Sequence, residues 1–221
     1  MYFFTHLYIA RELHRQLSKN ILLDYNAFSY GNIKPDIPSK TRQHHTQENY
    51  LEQVIYQVSI LKNQEFTVHE FSVKLGEICH YFSDFFCYYH LNEHLHKKNL
   101  NHFFYEISMH ISLINYKFNK INFKDSLDFL ESPDSSVYPV YPYFSNYPTT
   151  TFEDLITSSF TTMFELYSKR PNSMKKDMDF ALSTSLIMCE KILEGVHFTS
   201  SIPYNFDLMA NSTNLKEEQL L

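Results

Sequence analysis

Apolar residues recur every three or four positions through most of the chain, the spacing that lays one stripe along an α-helix. Leu7, Ala10, Leu13 and Leu17 make such a stripe within residues 3–19, and Leu51, Val54, Ile55, Val58 and Leu61 another within 46–62. Between them, ILLDYNAFSYGNIKPDIPSK predicts a short helix and then a breaker series, Gly31, Pro35 and Pro38, that leaves Asp36 on a stiffened loop. Thr-Val-His-Glu at 67–70 has the form of a capping box and predicts a helix running to about Tyr88. Further helices are expected over about 101–118 and 123–130, from Thr-Phe-Glu-Asp at 151–154 to about Lys169, and over 174–194. The run SPDSSVYPVYPYFSNYPTTT breaks the pattern; residues 133–150 read as a long loop, suited equally to a lid or a surface linker.

These elements predict an all-α fold of about six to eight helices, a single domain over residues 1–198 with a polar tail at 199–221. A chain of 221 residues is long enough to bury roughly 70% of its unfolded surface. Glycine occurs only 3 times, which argues against a turn-rich barrel or sandwich and excludes a Gly-rich phosphate loop. The formal charge of −6 offers no basic patch for duplex nucleic acid. Cys79, Cys87 and Cys189 are odd in number and lie in apolar stretches, so they are expected as reduced thiols of a cytoplasmic protein. In MYFFTHLYIARELHR, His6, Arg11 and Glu12 interrupt the apolar run, so no secretory signal is expected, and no stretch is apolar enough to span a membrane.

The candidate chemistry begins at HYFSDFFCYYH, residues 80–90, where two histidines and an aspartate stand among aromatic residues. His80 and Asp84 are one turn apart, about 40° around a helix, so both can reach one ion. His90 falls roughly 120° from Asp84 on a continuous helix. Either the helix breaks near Tyr88 or His90 serves a neighbouring metal. His102 and Glu106 repeat the one-turn spacing on the next helix. Two helices that each offer a histidine and a carboxylate are what a metal cluster between packed helices requires. Nitrogen and oxygen ligands together suit zinc first, then iron or manganese. Asp36, His44 or His45, and His6 are the candidates for the remaining positions.

The order of these pieces, THLYIA, FSYGNIKPDI, the His-His pair, GEICHYFSDFFCYYH and HFFYE, resembles the zinc-dependent phospholipase C family, whose superfamily includes the S1/P1-type nucleases. The likeness covers about the first 110 residues. It implies a helical domain holding zinc at the base of a cleft. Asp36, one of His44 and His45, His80 and Asp84 would hold the first ion; His90, His102 and Glu106 the second; His6 and a shared oxygen of Asp84 a third. Secreted members complete that third site with an N-terminal tryptophan. This chain has none, so two ions are expected, and the Met1 amine is the group nearest the third place. The resemblance further implies hydrolysis of phosphoric esters by in-line attack of a metal-activated water on phosphorus, with Asp36 orienting or deprotonating that water. The substrate would be a small phosphate ester or a phospholipid headgroup. Tyr2, Phe3 and Phe4 are candidates for the cleft wall. The alternative is a non-catalytic domain whose metal cluster is structural or sensory.

Overall fold

Side-chain caps start the helices where the sequence writes them. Asp24 accepts hydrogen bonds from the Asn26 and Ala27 amides, and Thr46 from that of Asn49. Thr67 with Glu70, and Thr151 with Asp154, form reciprocal capping boxes. Each cap contributes about 1 kcal/mol. In the computed structural model the described residues are 1–37, 44–91, 93–96, 99–113, 116 and 151–194, and among them all regular structure is helical. The order is α1 (Phe3–Leu17), α2 (Tyr25–Ile33), a 3-10 turn (Lys34–Asp36), α3 (Gln47–Asn63), α4 (Val68–Asp84), a second 3-10 turn (Tyr88–His90), α5 (Glu93–His96), α6 (Asn99–Leu113), α7 (Phe152–Ser168) and α8 (Met174–Glu194). No described helix is long and apolar enough to cross a membrane. The expected helix at 123–130, the loop at 133–150 and the tail at 199–221 lie outside the described residues.

Helix α4 is the hub, packed by α2, α3 and α8. Its last seven residues, Ile78 to Asp84, are all buried, as expected for a helix surrounded by others. One side meets an aromatic core: Phe82, Phe85 and Phe86 all lie 5.6–5.8 Å from the Phe160 ring, and Phe86 touches Tyr167 and Phe180. The side carrying His80 and Asp84 is left to face α1, α2 and the start of α3. Cys79 and Cys189 are buried free thiols with their sulfurs 3.1 Å apart across α4 and α8.

Two sequence expectations are corrected here. Helix α4 ends at Asp84 rather than near Tyr88; the Cys87 amide turns back to the Asp84 carbonyl at 2.9 Å. Phe85, Phe86 and Cys87 are fully buried, so their apolar run reflects core packing, not continued helix. Gly31 is not a breaker: it sits inside α2 with ordinary helical backbone. There it meets Gly76 of α4 where the two helices cross almost backbone to backbone. A Cβ at Gly31 would lie 2.1 Å from the Val73 carbonyl oxygen, and one at Gly76 would lie 2.3 Å from that of Phe28. Because main chain opposes each glycine, neither can gain a methyl without parting the helices. Gly76→Ala is expected to cost about 3 kcal/mol, the upper end for overpacking, and to lower the melting temperature by roughly 6–12 °C in a chain of this size; thermal melts against Gln53→Ala, at an exposed position of α3, check it.

Candidate metal centre

The crossing of α2 on α4 sets the Asn32 carbonyl 2.8 Å from His80 Nδ1. That nitrogen therefore donates, and His80 Nε2 presents a lone pair. It faces His45 Nδ1 at 2.8 Å, Asp84 Oδ2 at 3.3 Å and Asp36 Oδ1 at 3.8 Å. His45 Nδ1 is in turn 2.9 Å from Asp84 Oδ2 and 3.9 Å from Asp36 Oδ1. Four ligand atoms from the 3-10 turn, the start of α3 and α4 thus converge. Around a tetrahedral zinc with bonds of 2.0–2.1 Å, ligand atoms stand about 3.3 Å apart. The set matches that cage closely.

A second set lies beside it. The break after Asp84 brings His90 back toward the cluster on its own 3-10 turn. The helix stops four residues earlier than expected, and His90 stands beside His102 and Glu106 while its Nδ1 stays 3.4 Å from Asp84 Oδ2. Nδ1 is also 3.3 Å from the His45 carbonyl, which accepts its N–H hydrogen bond. His90 Nε2 then lies 3.1 Å from His102 Nε2 and 3.0 Å from Glu106 Oε1, and those two are 2.6 Å apart. The Tyr89 ring stacks on His102 at 5.3 Å and 9°, fixing the imidazole plane. Cys87 is buried beside the set, its sulfur within 4.8 Å of ligand atoms of His90 and Glu106.

His6 completes the picture from α1. Ser83 Oγ donates to the His80 carbonyl and accepts from His6 Nδ1, at 2.8 and 3.3 Å. His6 Nε2 is buried, makes no hydrogen bond among the described residues, and points at Asp84 Oδ1, 3.2 Å away. The ring stacks on His80 with centroids 3.9 Å apart. The Met1 amino group sits in contact with the same Asp84 oxygen, 3.2 Å from His90 Nε2 and 3.3 Å from Glu106 Oε1. Asp84 therefore serves every group: Oδ1 faces His6 and the amine, Oδ2 faces His45, His80 and His90.

Electrostatics follow from this crowding. Burial works to raise the Asp84 carboxyl, but His90, the amine and His80 hold it well below the ordinary range. Glu106 is likewise lowered, the amine, His102 and His90 outweighing burial. Burial and the neighbouring His80 push His6 down to about 4, so it stays neutral with a free lone pair. Burial would lower His90 and the amine too, yet Asp84 raises them to about 9 and about 12. The site draws positive charge, and the neutral His6 imidazole aims its lone pair at an oxygen of buried, ionised Asp84. Imidazole nitrogens gathered around buried carboxylates are donor chemistry that fits a divalent cation.

Of the residues singled out in the sequence, His6, Asp36, His45, His80, Asp84, His90, His102 and Glu106 are brought together. His44 is not: it is half-buried, and its carbonyl accepts from Thr46 N and Asn49 Nδ2 at the start of α3. Phe3 and Phe4 are exposed, and the Tyr2 ring packs on Phe4 and His110. Sequence reasoning missed the Asn32 carbonyl, Ser83 and Tyr89, which orient imidazoles. A backbone acceptor leaves no mark in a sequence. Ser83 and Tyr89, each beside a predicted ligand, had only that adjacency to point to them.

An all-helical domain that gathers imidazoles and carboxylates from six separate segments into adjoining sets has the donor groups of a metal-binding class of protein. The chain belongs to the zinc-dependent phospholipase C family, whose sequence model matches residues 5–177. That span holds all the clustered side chains. No curated protein and no solved structure matches the chain. The family is zinc-dependent, and three side-chain groups here could hold an ion: His6, His80 and Asp84; Asp36, His45 and His80; and Cys87, His90 and Glu106.

Proposed function

We propose that the protein is a zinc-dependent hydrolase of phosphoric esters that acts on a phosphodiester of the phospholipid-headgroup kind. The observation that carries this reading is the convergence of ring nitrogens on carboxylate oxygens. His6, His80 and His90 each spend one ring nitrogen on a hydroxyl or carbonyl acceptor and turn the other toward Asp84, Asp36 or Glu106. Asp36, His45, His80 and Asp84 would hold one ion and His90, His102 and Glu106 a second, with Asp84 Oδ1 and His6 beside the amine as the third place. Zinc so held would act as a Lewis acid on phosphoryl oxygens and make a nearby water acidic.

The chain's own groups account for the rest. Asp84 is fully buried and can only hold and balance charge, whereas Asp36 is 24% exposed at the rim. Burial would raise Asp36, but His6 and His80 outweigh it and keep the carboxylate ionised. It is therefore the group placed to accept a proton from an entering water and orient its lone pair toward phosphorus. Glu106 is 13% exposed, so the second set too has a partly open edge. A closed structural site would have no such rim, which favours catalysis over a structural or sensory cluster. Among the described residues, the hydroxyl and thiol beside the cluster are both buried, Ser83 against His80 and His6 and Cys87 in the core, so neither is placed to attack a substrate.

The test is turnover of a chromogenic phosphodiester by metal-stripped protein reconstituted with zinc. Activity proportional to bound zinc, and lost by about 10²–10⁴-fold in Asp36→Asn with metal retained, is expected for a general base. Protein that binds zinc stoichiometrically yet turns over no phosphoric ester would overturn the catalytic reading.

A further inference from the structure

Outside the metal centre, the most heavily engaged buried charge is Asp177 near the start of α8. Its side chain is fully buried and accepts three hydrogen bonds. Oδ2 takes the Tyr88 backbone N–H at 2.7 Å and the Tyr105 hydroxyl at 2.8 Å; Oδ1 takes the Tyr167 hydroxyl at 2.8 Å. The neighbouring Lys176 turns the other way, donating to Asn172 Oδ1 at 2.9 Å and to the Arg170 carbonyl at 3.3 Å. What Asp177 joins is specific. Tyr88 opens the 3-10 turn that carries His90, and Tyr105 precedes Glu106 on α6. Tyr105 also packs on Tyr89 at 5.1 Å, and Tyr89 is the ring stacked on His102. All three side chains of the second ligand set therefore stand one or two residues, or one ring, from a group bound to this carboxylate.

We propose that Asp177 is the positioning residue of the second metal set, clamping the turn that carries His90 to the helix that carries His102 and Glu106. The inference rests on the reading of those residues as metal ligands. The turn and α6 are separated in sequence and share no backbone ladder, so their relative placement must come from side chains. A carboxylate that accepts from both, anchored in turn to α7 by Tyr167, fixes it without touching the ion. Charge-assisted bonds to an ionised acceptor are short and directional, and outer-shell partners of this kind govern ligand geometry. The Tyr167 bond reaches an element with no ligand. It anchors the clamp but does not itself join the ligand-bearing pieces.

The experiment is Co²⁺ titration of metal-stripped protein against a competing chelator, with the second class of site identified as the one abolished by Glu106→Gln. Tyr105→Phe removes one hydroxyl and preserves volume, so it is expected to fold. It should weaken Co²⁺ at the second class 10–100-fold, the usual effect of losing an outer-shell partner, and leave the first class within about 3-fold. Tyr167→Phe should leave both classes within about 3-fold, even where its melting temperature falls as much. Asp177→Asn, which can still accept from Tyr88 and Tyr105, should retain the second class, whereas Asp177→Ala should lose it. Equal weakening of both classes by Tyr105→Phe and Tyr167→Phe would reduce Asp177 to general packing, and an unchanged second class in Tyr105→Phe would overturn the clamp. Unaltered protein that takes up no Co²⁺ in a class sensitive to Glu106→Gln would sink the metal reading, and the clamp with it.

Discussion

Asp84→Asn is expected to bring the metal content of the purified protein below one ion per chain and to lower phosphodiester turnover by roughly 10³-fold or more, about 4 kcal/mol in barrier. The size follows from position. Both oxygens of Asp84 are in use, one toward His6 and the Met1 amine and the other toward His45, His80 and His90. An amide of the same shape keeps one acceptor, turns N–H groups on the other partners, and removes the negative charge that balances them. Breaking a buried ionic set by removing one member typically costs 3–5 kcal/mol. Elemental analysis by emission spectroscopy and the same turnover assay check both effects. Glu77→Gln is the control: it lies on the same helix but pairs with exposed Lys34, and it should change neither. An Asp84→Asn protein that retains two ions and full activity would remove the bridging role.

Stripping zinc is the second large effect. Each ion bound at free metal about 1,000 times its dissociation constant stabilises the fold by about 4.1 kcal/mol. At roughly 2–4 °C per kcal/mol for a chain of this length, the melting temperature should fall about 8–16 °C for each ion removed by a strong chelator. Re-adding zinc should restore it. The reason is topological: the candidate ligands come from α1, the turn at Asp36, the segment before α3, α4, the turn at His90 and α6, so a bound ion would tie together pieces far apart in sequence. A melt that does not move in chelator would show that the buried imidazoles and acids are satisfied by protons and protein alone.

Much of this was legible before any coordinates. Helical periodicity located Val54, Val58 and Leu61 on the buried face of α3, and the capping box at Thr67 and the helix start at Thr151 stand where the sequence predicted them. The one-turn spacing of His80 with Asp84, and of His102 with Glu106, put both pairs on shared faces because helix geometry is local. What failed was whatever depended on a distant partner. Gly31 reads as a breaker in isolation and becomes a contact only because Gly76 faces it. FFCYY reads as more helix because burial and helicity leave the same apolar signature, so the stop at Asp84 and the return of His90 were hidden. The choice between His44 and His45 needed the cap at Thr46, which turns one ring inward and leaves the other outside the cluster. Asp177 gave no local sign, since its donors come from three other elements.

The bare crossing of Gly31 and Gly76 has a further consequence. Shifting α4 by one residue against α2 would rotate His80 and Asp84 by about 100° and press a side chain into a main-chain oxygen. The two glycines therefore act as a key that admits a single register. The angular aim of His80 and Asp84 is thereby set by steric exclusion between two main chains, a constraint that owes nothing to the side chains' own attractions.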